Sequence, residues 1–150
     1  MAFKAADADF ENRVRESFAR QQIMHTLGAE LTLVEPGIVE IELPYRADLT
    51  QQHGFIHAGV VATVLDSACG YAAFSLMPAD AAVLSIEFKV NLLAPARGDR
   101  LRARAEVKRA GRTVTVCTAD AYAIAGEQSK VVATMLATMM CIRDRDEFAG

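Results

Sequence analysis

Hydrophobic and polar positions follow two different periods along this chain, and each period predicts a type of element. Over residues 10–24 an apolar residue recurs every three or four positions, and Gln21 or Gln22 continues the stripe. This spacing predicts a short amphipathic helix within an N-terminal helical segment, residues 1–25. Over residues 57–76 nearly every residue is apolar or small, which predicts a longer helix that is enclosed on almost all sides.

Six further segments predict β-strands, because apolar residues alternate with polar ones or because turn signals bound a short apolar run. They cover residues 27–33, 38–43, 84–92, 101–108, 112–124 and 130–141. In the third segment the apolar side chains at alternate positions, from Leu84 to Leu92, are predicted to face the core. Gly37, Gly111 and Gly126 lie in the predicted turns.

The order of these elements is one helix, two strands, a long apolar helix and four strands. A helix that is apolar almost all round has to be enclosed, and one antiparallel sheet of about six strands can curl around it. The sequence therefore predicts an α+β protein with a hotdog fold, in which a curved antiparallel sheet wraps around a long central helix. No linker or internal repeat divides the chain, so residues 1–150 are expected to form a single domain.

The composition predicts self-association and argues against two classes of partner. Hydrophobic residues make up 52% of the chain, with no tryptophan. Part of the surface is therefore expected to be covered by further copies, as a dimer or a dimer of dimers. A net charge of −3 and a pI near 5.6 give no general attraction for nucleic acid or an anionic membrane.

The sequence shows neither a targeting signal nor a metal-binding pattern. The N-terminus is charged and lacks the apolar core of a signal peptide, and no run approaches the roughly 20 apolar residues that cross a bilayer. A cytoplasmic protein is therefore expected. Cys69, Cys117 and Cys141 lie in apolar segments without metal-ligand spacing, so we expect reduced core residues rather than a disulfide or a zinc site.

One carboxylate, Asp66, interrupts the long apolar helix. The residues that share its helical face are small: Gly59, Ala62, Thr63, Cys69, Gly70 and Ala73. Such neighbours leave room for a ligand beside the carboxylate. A structural carboxylate that hydrogen-bonds to a neighbouring strand would also fit this pattern.

The start of the same helix offers a second chemical feature, since helix N-termini present unpaired backbone N–H groups and a partial positive charge. Ala58 and Gly59 are small and let a ligand carbonyl approach. Asp66 follows Ala58 by eight residues, or about 12 Å of helix, so one carbonyl cannot touch both groups of a single chain. A twofold dimer that brings the helix start of one chain to Asp66 of the other would form a composite site.

The stretch HGFIHAGVVATVLDSACGYAAFSL, followed by VLSIEFKVNLLAPARGD, resembles the acyl-CoA thioesterases of the hotdog superfamily. Within that superfamily the similarity is to the phenylacetate-pathway, or PaaI-like, and 4-hydroxybenzoyl-CoA types. It covers residues 27–141. It rests on three features together: the G-x-x-H-x-G motif at the start of the helix, the helix Asp, and the strand that ends in Ala-Pro-Ala. The resemblance implies a hydrolase that takes acyl-CoA as its substrate and needs no metal or redox cofactor.

The resemblance also implies roles for several residues. Asp66 matches the family's acid, which acts as a nucleophile or as a general base for water, and Ser85 matches the hydroxyl beside it. The Ala58 N–H matches the donor that polarises the thioester carbonyl, with Gln51 assisting and His57 orienting the helix start. The family usually has glycine at the position of Ala58; alanine keeps the N–H and adds a methyl group.

The residues that contact the substrate are only partly defined. Gln52 adjoins Gln51, and either side chain could face the site. Basic residues lie near predicted turns, where they could bind the phosphates of CoA. The residues expected to bind substrate are Gly59, Gln52, Thr63, Arg97, Arg109 and Arg112.

Three functions are open on sequence alone. The first is hydrolysis of an aryl, short or medium acyl-CoA thioester to the free acid and CoA. The second is a hotdog dehydratase or hydratase, an enzyme that relies on a histidine with an acid. His57 and His53 keep this function open, although His53 is expected to be a loop residue without a catalytic role. The third is an acyl-CoA sensor without turnover, and the lack of a DNA-binding segment favours the enzyme over it.

Overall fold

The computed structural model describes residues 2–144 and 146–148, so both ends of the predicted 1–150 domain lie outside the described part. The chain forms helices α1 (Phe10–Arg20) and α2 (Gln22–Leu27), strands β1 (Glu30–Glu35) and β2 (Ile38–Pro44), helix α3 (Ala58–Phe74), and strands β3 (Ala82–Leu92), β4 (Arg100–Ala110), β5 (Val114–Ala125) and β6 (Gln128–Ile142). Two short 3-10 turns, Ala47–Leu49 and Asp146–Phe148, complete it.

The six strands form one antiparallel sheet in the order β1-β2-β4-β5-β6-β3, and helix α3 packs against it. The core is the layer between them. Val64, Leu65 and Ala68 of the helix are fully buried against the sheet, and alternate residues of β2 and β4 point toward them. The predicted hotdog fold, with a curved sheet around a long helix, is confirmed. No helix of the described residues is long and apolar enough to cross a membrane.

The N-terminal segment differs from its prediction in two ways. The helix expected over residues 10–24 is divided into α1 and α2 at Gln21, whose backbone is extended (φ −79°, ψ 101°). The strand expected to begin at Leu27 begins at Glu30, because α2 continues to Leu27 and buries it. Gly28 ends the helix in the left-handed conformation (φ 71°), which glycine adopts without strain.

Strand β3 departs from the predicted alternation. It is an edge strand that contains a bulge. The bulge lies between Ser85, which pairs with Met139, and Glu87, which pairs with Thr138. The extra residue, Ile86, shifts the phase, so that Ser85 and Phe88 face the same side of the sheet. Val90 packs against the core as expected, but the expected burial of the other four apolar residues is wrong. In this chain Leu84, Ile86, Phe88 and Leu92 are between 43% and 56% exposed.

Arg13 ties the N-terminal helices to the end of α3. Its guanidinium donates from Nη2 to Met77 O at 2.8 Å and lies over the Phe74 ring, 4.3 Å from the ring centre. We expect Arg13→Met to lower the free energy of unfolding by about 2 kcal/mol, because a hydrogen bond from a charged group to a carbonyl that then lacks a partner is worth roughly 1.5–3 kcal/mol. Urea unfolding measures the change.

Arg15 provides the matched control for this prediction. It lies on the outer side of α1, where its ion pair with Glu11 is exposed to solvent. Arg15→Met is expected to change the free energy of unfolding by less than about 0.5 kcal/mol. A loss for Arg13→Met no larger than that for Arg15→Met would contradict the proposed anchoring role.

Candidate active site

The carboxylate that interrupts helix α3 lies beside the first part of strand β3. The Ser85 hydroxyl donates to Asp66 Oδ1 at 2.7 Å, and the bulge that follows Ser85 is what turns this side chain toward the helix. The structure thus brings together two residues that the sequence resemblance placed side by side. Strand β6 lies behind them, with the Met139 sulfur 3.4 Å from the Ser85 oxygen.

The charge of Asp66 is not neutralised by any described residue. It forms no ion pair with any described residue, and Ser85 is its one hydrogen-bond partner among them. A purely structural carboxylate at a half-buried position normally has its charge matched by a cation or by several donors. Here Oδ2 remains open, so this oxygen can accept a proton from a ligand or a water.

The start of α3 presents one free backbone donor. His57 is the N-cap residue; its Nδ1 accepts from Gly59 N–H at 2.8 Å, and its carbonyl accepts from Val60 and Val61. The N–H of Ala58 forms no hydrogen bond to another described residue. An unpaired N–H at a helix N-terminus is suited to a carbonyl oxygen that gains negative charge.

The loop before the helix fixes the orientation of Gln51. The side-chain oxygen of Gln51 accepts from His53 N–H at 2.6 Å and from Phe55 N–H at 3.2 Å. Both bonds use Oε1, which leaves Nε2 as the end of the amide that is free to donate. Gln51 lines a cavity together with Ala58, whereas Gln52 is exposed and makes no hydrogen bond with its side chain in the described part.

Two cavities flank helix α3, and they divide the predicted catalytic residues between them. The first, here called the Asp66 cavity, is about 280 Å³ and is lined by Asp66, Ser85, Gly70, Ser67, Tyr71 and Gln21, among others. The second, the Ala58 cavity, is about 410 Å³ and is lined by Ala58, Gln51, Phe55, Val61, Leu92 and Pro95, among others. Neither cavity of one chain contains both an acid and a free N–H donor.

The remaining predicted residues fall into three groups. Thr63 lies on the Asp66 face of the helix, but its hydroxyl donates back to Gly59 O at 2.7 Å. Arg97 lies over the ring of Phe55, 5.6 Å from its centre, at the Ala58 cavity. Arg97 precedes strand β4, whereas Arg109 and Arg112 lie at the far end of this strand, which is about 30 Å long. One chain therefore does not bring these two cations together with Arg97.

Cys69 follows Asp66 by less than one helical turn, yet its thiol is not a rival nucleophile. The side chain is fully buried, and burial, with smaller contributions from Cys117 and Asp66, raises the pKa of the Cys69 thiol far above its ordinary value. Burial raises the pKa of Cys117 to about 12 as well. Both thiols therefore stay protonated and unreactive in the folded chain.

The described residues contain no group of three or more histidine, cysteine, aspartate or glutamate side chains that could hold a metal ion. The candidate chemistry described above involves Asp66, Ser85, the Ala58 N–H and Gln51. The sequence did not identify the far wall of the Asp66 cavity, where Gln21 and Tyr71 lie. The one feature of the sequence that pointed to Gln21 was that a glutamine continues the apolar stripe of the N-terminal helix.

Comparison with known sequences identifies related proteins. A sequence model of the Thioesterase superfamily matches residues 53–130, which include α3 and strands β3, β4 and β5. A Halobacterium salinarum protein named "putative esterase" is 35% identical over 116 residues, covering 73% of this chain and 76% of that protein.

Solved structures show the same fold. A thioesterase family protein from Silicibacter pomeroyi is 58% identical and superposes with a TM-score of 0.89, covering 90% of this chain and 99% of that chain. The E. coli PaaI protein from the phenylacetic acid degradation operon shares the fold at 21% identity, with a TM-score of 0.81 over 89% of this chain and 94% of that chain. The chain belongs to the thioesterase superfamily of hotdog-fold hydrolases.

Proposed function

We propose that this protein hydrolyses an acyl-CoA thioester to the free acid and CoA, with Asp66 as the general base or the nucleophile. The observation that carries the proposal is the Asp66 carboxylate itself. One oxygen is held by the Ser85 hydroxyl, the other is open to a cavity, and no cation among the described residues neutralises the charge.

The proposed reaction needs a proton acceptor and an electrophilic contact. In the base route, Asp66 Oδ2 takes a proton from water while the water oxygen bonds to the thioester carbon. The carbonyl oxygen becomes an oxyanion, which accepts a hydrogen bond from the Ala58 N–H. Collapse of this intermediate breaks the C–S bond, and the CoA thiolate leaves and takes up the proton. In the nucleophilic route, an Asp66 oxygen bonds to the carbon, the C–S bond breaks and the CoA thiolate leaves, which forms an anhydride. Water then cleaves the anhydride to the free acid and the Asp66 carboxylate, and the thiolate takes up a proton from that water.

Both routes require a second copy of the chain, because the acid and the free N–H of one chain lie in different cavities. Strand β3 suggests how two copies meet. It is an edge strand with unpaired backbone groups and exposed apolar side chains, which favours pairing with another strand. Its first part, at Ser85, lines the Asp66 cavity, and its last residue, Leu92, lines the Ala58 cavity.

Antiparallel pairing of two β3 strands about a twofold axis brings the start of one strand next to the end of the other. The Asp66 cavity of one chain then faces the Ala58 cavity of its partner. Each dimer would hold two equivalent sites, in which Asp66 and Ser85 act with the partner's Ala58 and the partner's Gln51. Dimers of this kind could associate further into a dimer of dimers.

The positions of the two cavities also suggest how the substrate lies. Arg97 lies beside the Ala58 cavity and is the cation that we assign to a CoA phosphate. Arg109 and Arg112 lie at the opposite end of β4, so we do not assign them to the same nucleotide. The acyl group would then extend into the Asp66 cavity. We propose CoA as part of the substrate and no other cofactor.

Thiol release from a panel of aryl, short and medium acyl-CoAs tests the proposed function. We expect hydrolysis of at least one class with a kcat/KM in the ordinary enzymatic range, above about 10⁴ M⁻¹ s⁻¹. Binding of acyl-CoA without thiol release from any member of the panel would identify a sensor instead and contradict the proposal.

A further inference from the structure

We propose that Phe148 sets the longest acyl group that the protein accepts, by closing the end of the Asp66 cavity that lies farthest from the carboxylate. This inference rests on the proposed function, because it assigns the Asp66 cavity to the acyl group. It predicts that hydrolysis continues up to a limiting acyl length and falls steeply beyond that length.

The Asp66 cavity is elongated along helix α3. Asp66, Gly70 and Phe74 lie one turn apart on the helix and all line the cavity, so it extends about 12 Å along the helix axis. The chain turns back after α3, and the start of β3 forms another wall, with Ser85 beside Asp66 and Ala82 three residues earlier. The cavity therefore has one end at the carboxylate and the other near Phe74 and Ala82.

The two ends of the cavity differ in chemistry. Asp66 and Ser85 make the first end polar, whereas Phe74 and Ala82 at the second end are apolar and buried. Gly70 leaves the passage between them open, since an added Cβ would meet no atom within 4 Å. An apolar acyl tail is stabilised by leaving water, so we expect it to extend past Gly70 toward the apolar end.

Phe148 reaches this apolar end from outside the helix and sheet. Strand β6 ends at Ile142, which pairs with Ala82, and the 3-10 turn Asp146–Phe148 follows and brings Phe148 onto the cavity lining. The side chain is half-buried there. Every other lining residue that the structure describes lies in residues 17–21, in α3 or in β3. Phe148 is thus the boundary that the core elements do not supply.

The volume of the cavity is consistent with a length limit. A cavity of about 150 Å³ holds a benzene molecule, and the Asp66 cavity is about 280 Å³, so it accommodates a short or medium acyl group and no more. Phe148 is not part of the hydrophobic core cluster among the described residues. Its ring can therefore be removed to enlarge the cavity without opening a hole in the core.

The test measures kcat/KM along two series of thioesters that differ only in length. One series runs from acetyl-CoA to dodecanoyl-CoA, and the other from phenylacetyl-CoA to 6-phenylhexanoyl-CoA. The limit of a series is its longest member that is hydrolysed with more than a tenth of the best kcat/KM. Phe148→Ala should move the limit to a longer member. A pocket disfavours one excess methylene by about 10- to 200-fold, so kcat/KM for the first member beyond the wild-type limit should rise roughly tenfold.

Gly70→Val tests the path of the acyl group from the other side. Its methyl groups would occupy the open space midway along the cavity, so we expect the limit to move to a shorter member. Glu147→Ala is the matched control, because Glu147 adjoins Phe148, is exposed and lies outside the cavity lining. It should keep the wild-type limit.

Thermal unfolding shows whether each variant is folded, and Phe148→Leu, which shortens the side chain and keeps it apolar, replaces Phe148→Ala if that variant does not fold. No length limit in the wild type would overturn the inference while leaving the proposed function intact. An unchanged limit in the folded Phe148 variant or in Gly70→Val would do the same. No hydrolysis of any member of either series would contradict both.

Discussion

Asp66→Asn is expected to lower kcat by about three orders of magnitude while the protein stays folded. Asparagine has the size of aspartate and can still accept the Ser85 hydrogen bond, but its amide neither takes a proton from water nor attacks a thioester. Loss of a positioned general base typically costs 10²- to 10⁴-fold. Thiol release under saturating acyl-CoA measures kcat, and thermal unfolding shows whether the variant is folded.

Asp80→Asn is a suitable control for this experiment. Asp80 is exposed after the end of α3 and lies outside both cavities. It should retain wild-type kcat. If Asp66→Asn kept more than a tenth of the wild-type kcat, Asp66 would be a structural carboxylate, as the hydrogen bond to Ser85 alone would allow.

Ala58→Pro is the second change for which we expect a large effect, a loss of about 10²- to 10³-fold in kcat. Proline removes the backbone N–H that we assign to the oxyanion, and loss of one such donor has a cost of this size. The first position of a helix tolerates proline, because its N–H is not used within the helix. His57 already has the extended backbone that a residue before proline requires (φ −60°, ψ 139°).

Ala58→Gly separates loss of the N–H from a change of side chain. Glycine keeps the donor and restores the residue that the family usually has at this position, so activity within a few-fold of wild type is expected. Equal losses in the proline and glycine variants would show that the methyl group matters and the N–H does not.

The sequence was sufficient for the fold because its strongest patterns are local. The apolar run of α3 and the alternation of β2, with Val39, Ile41 and Leu43 buried, follow from which side of each element faces the core. The break at Gln21 was missed because the apolar stripe continues across it. The bulge at Ile86 was missed because it depends on how β3 pairs with β6, which the sequence of β3 does not encode by itself.

The exposed apolar residues of β3 illustrate a different limit. Their pattern correctly identified residues that prefer to leave water, but it could not say whether the same chain covers them. In the described structure it does not, since Phe88 is 43% exposed and Leu92 is 56% exposed. The same pattern is consistent with burial against a second copy.

The sequence could predict those distances in the candidate site that depend on residues of the same helix. The spacing of Asp66 and Ala58 on one helix indicated two separate half-sites, and the structure places them in different cavities. Hydrogen bonds within the loop, rather than the sequence, distinguish Gln51 from Gln52. The basic residues could not be grouped from the sequence, because strand β4 separates Arg97 from Arg109.

Mixing two inactive variants tests the composite site most directly. In a heterodimer of Asp66→Asn and Ala58→Pro chains, one site carries both changes and the other carries neither. Random exchange makes about half of the dimers mixed, so we predict recovery of about a quarter of the wild-type activity. If confirmed heterodimers recover no activity above that of the separate variants, Asp66 and the Ala58 N–H do not act together across a subunit interface.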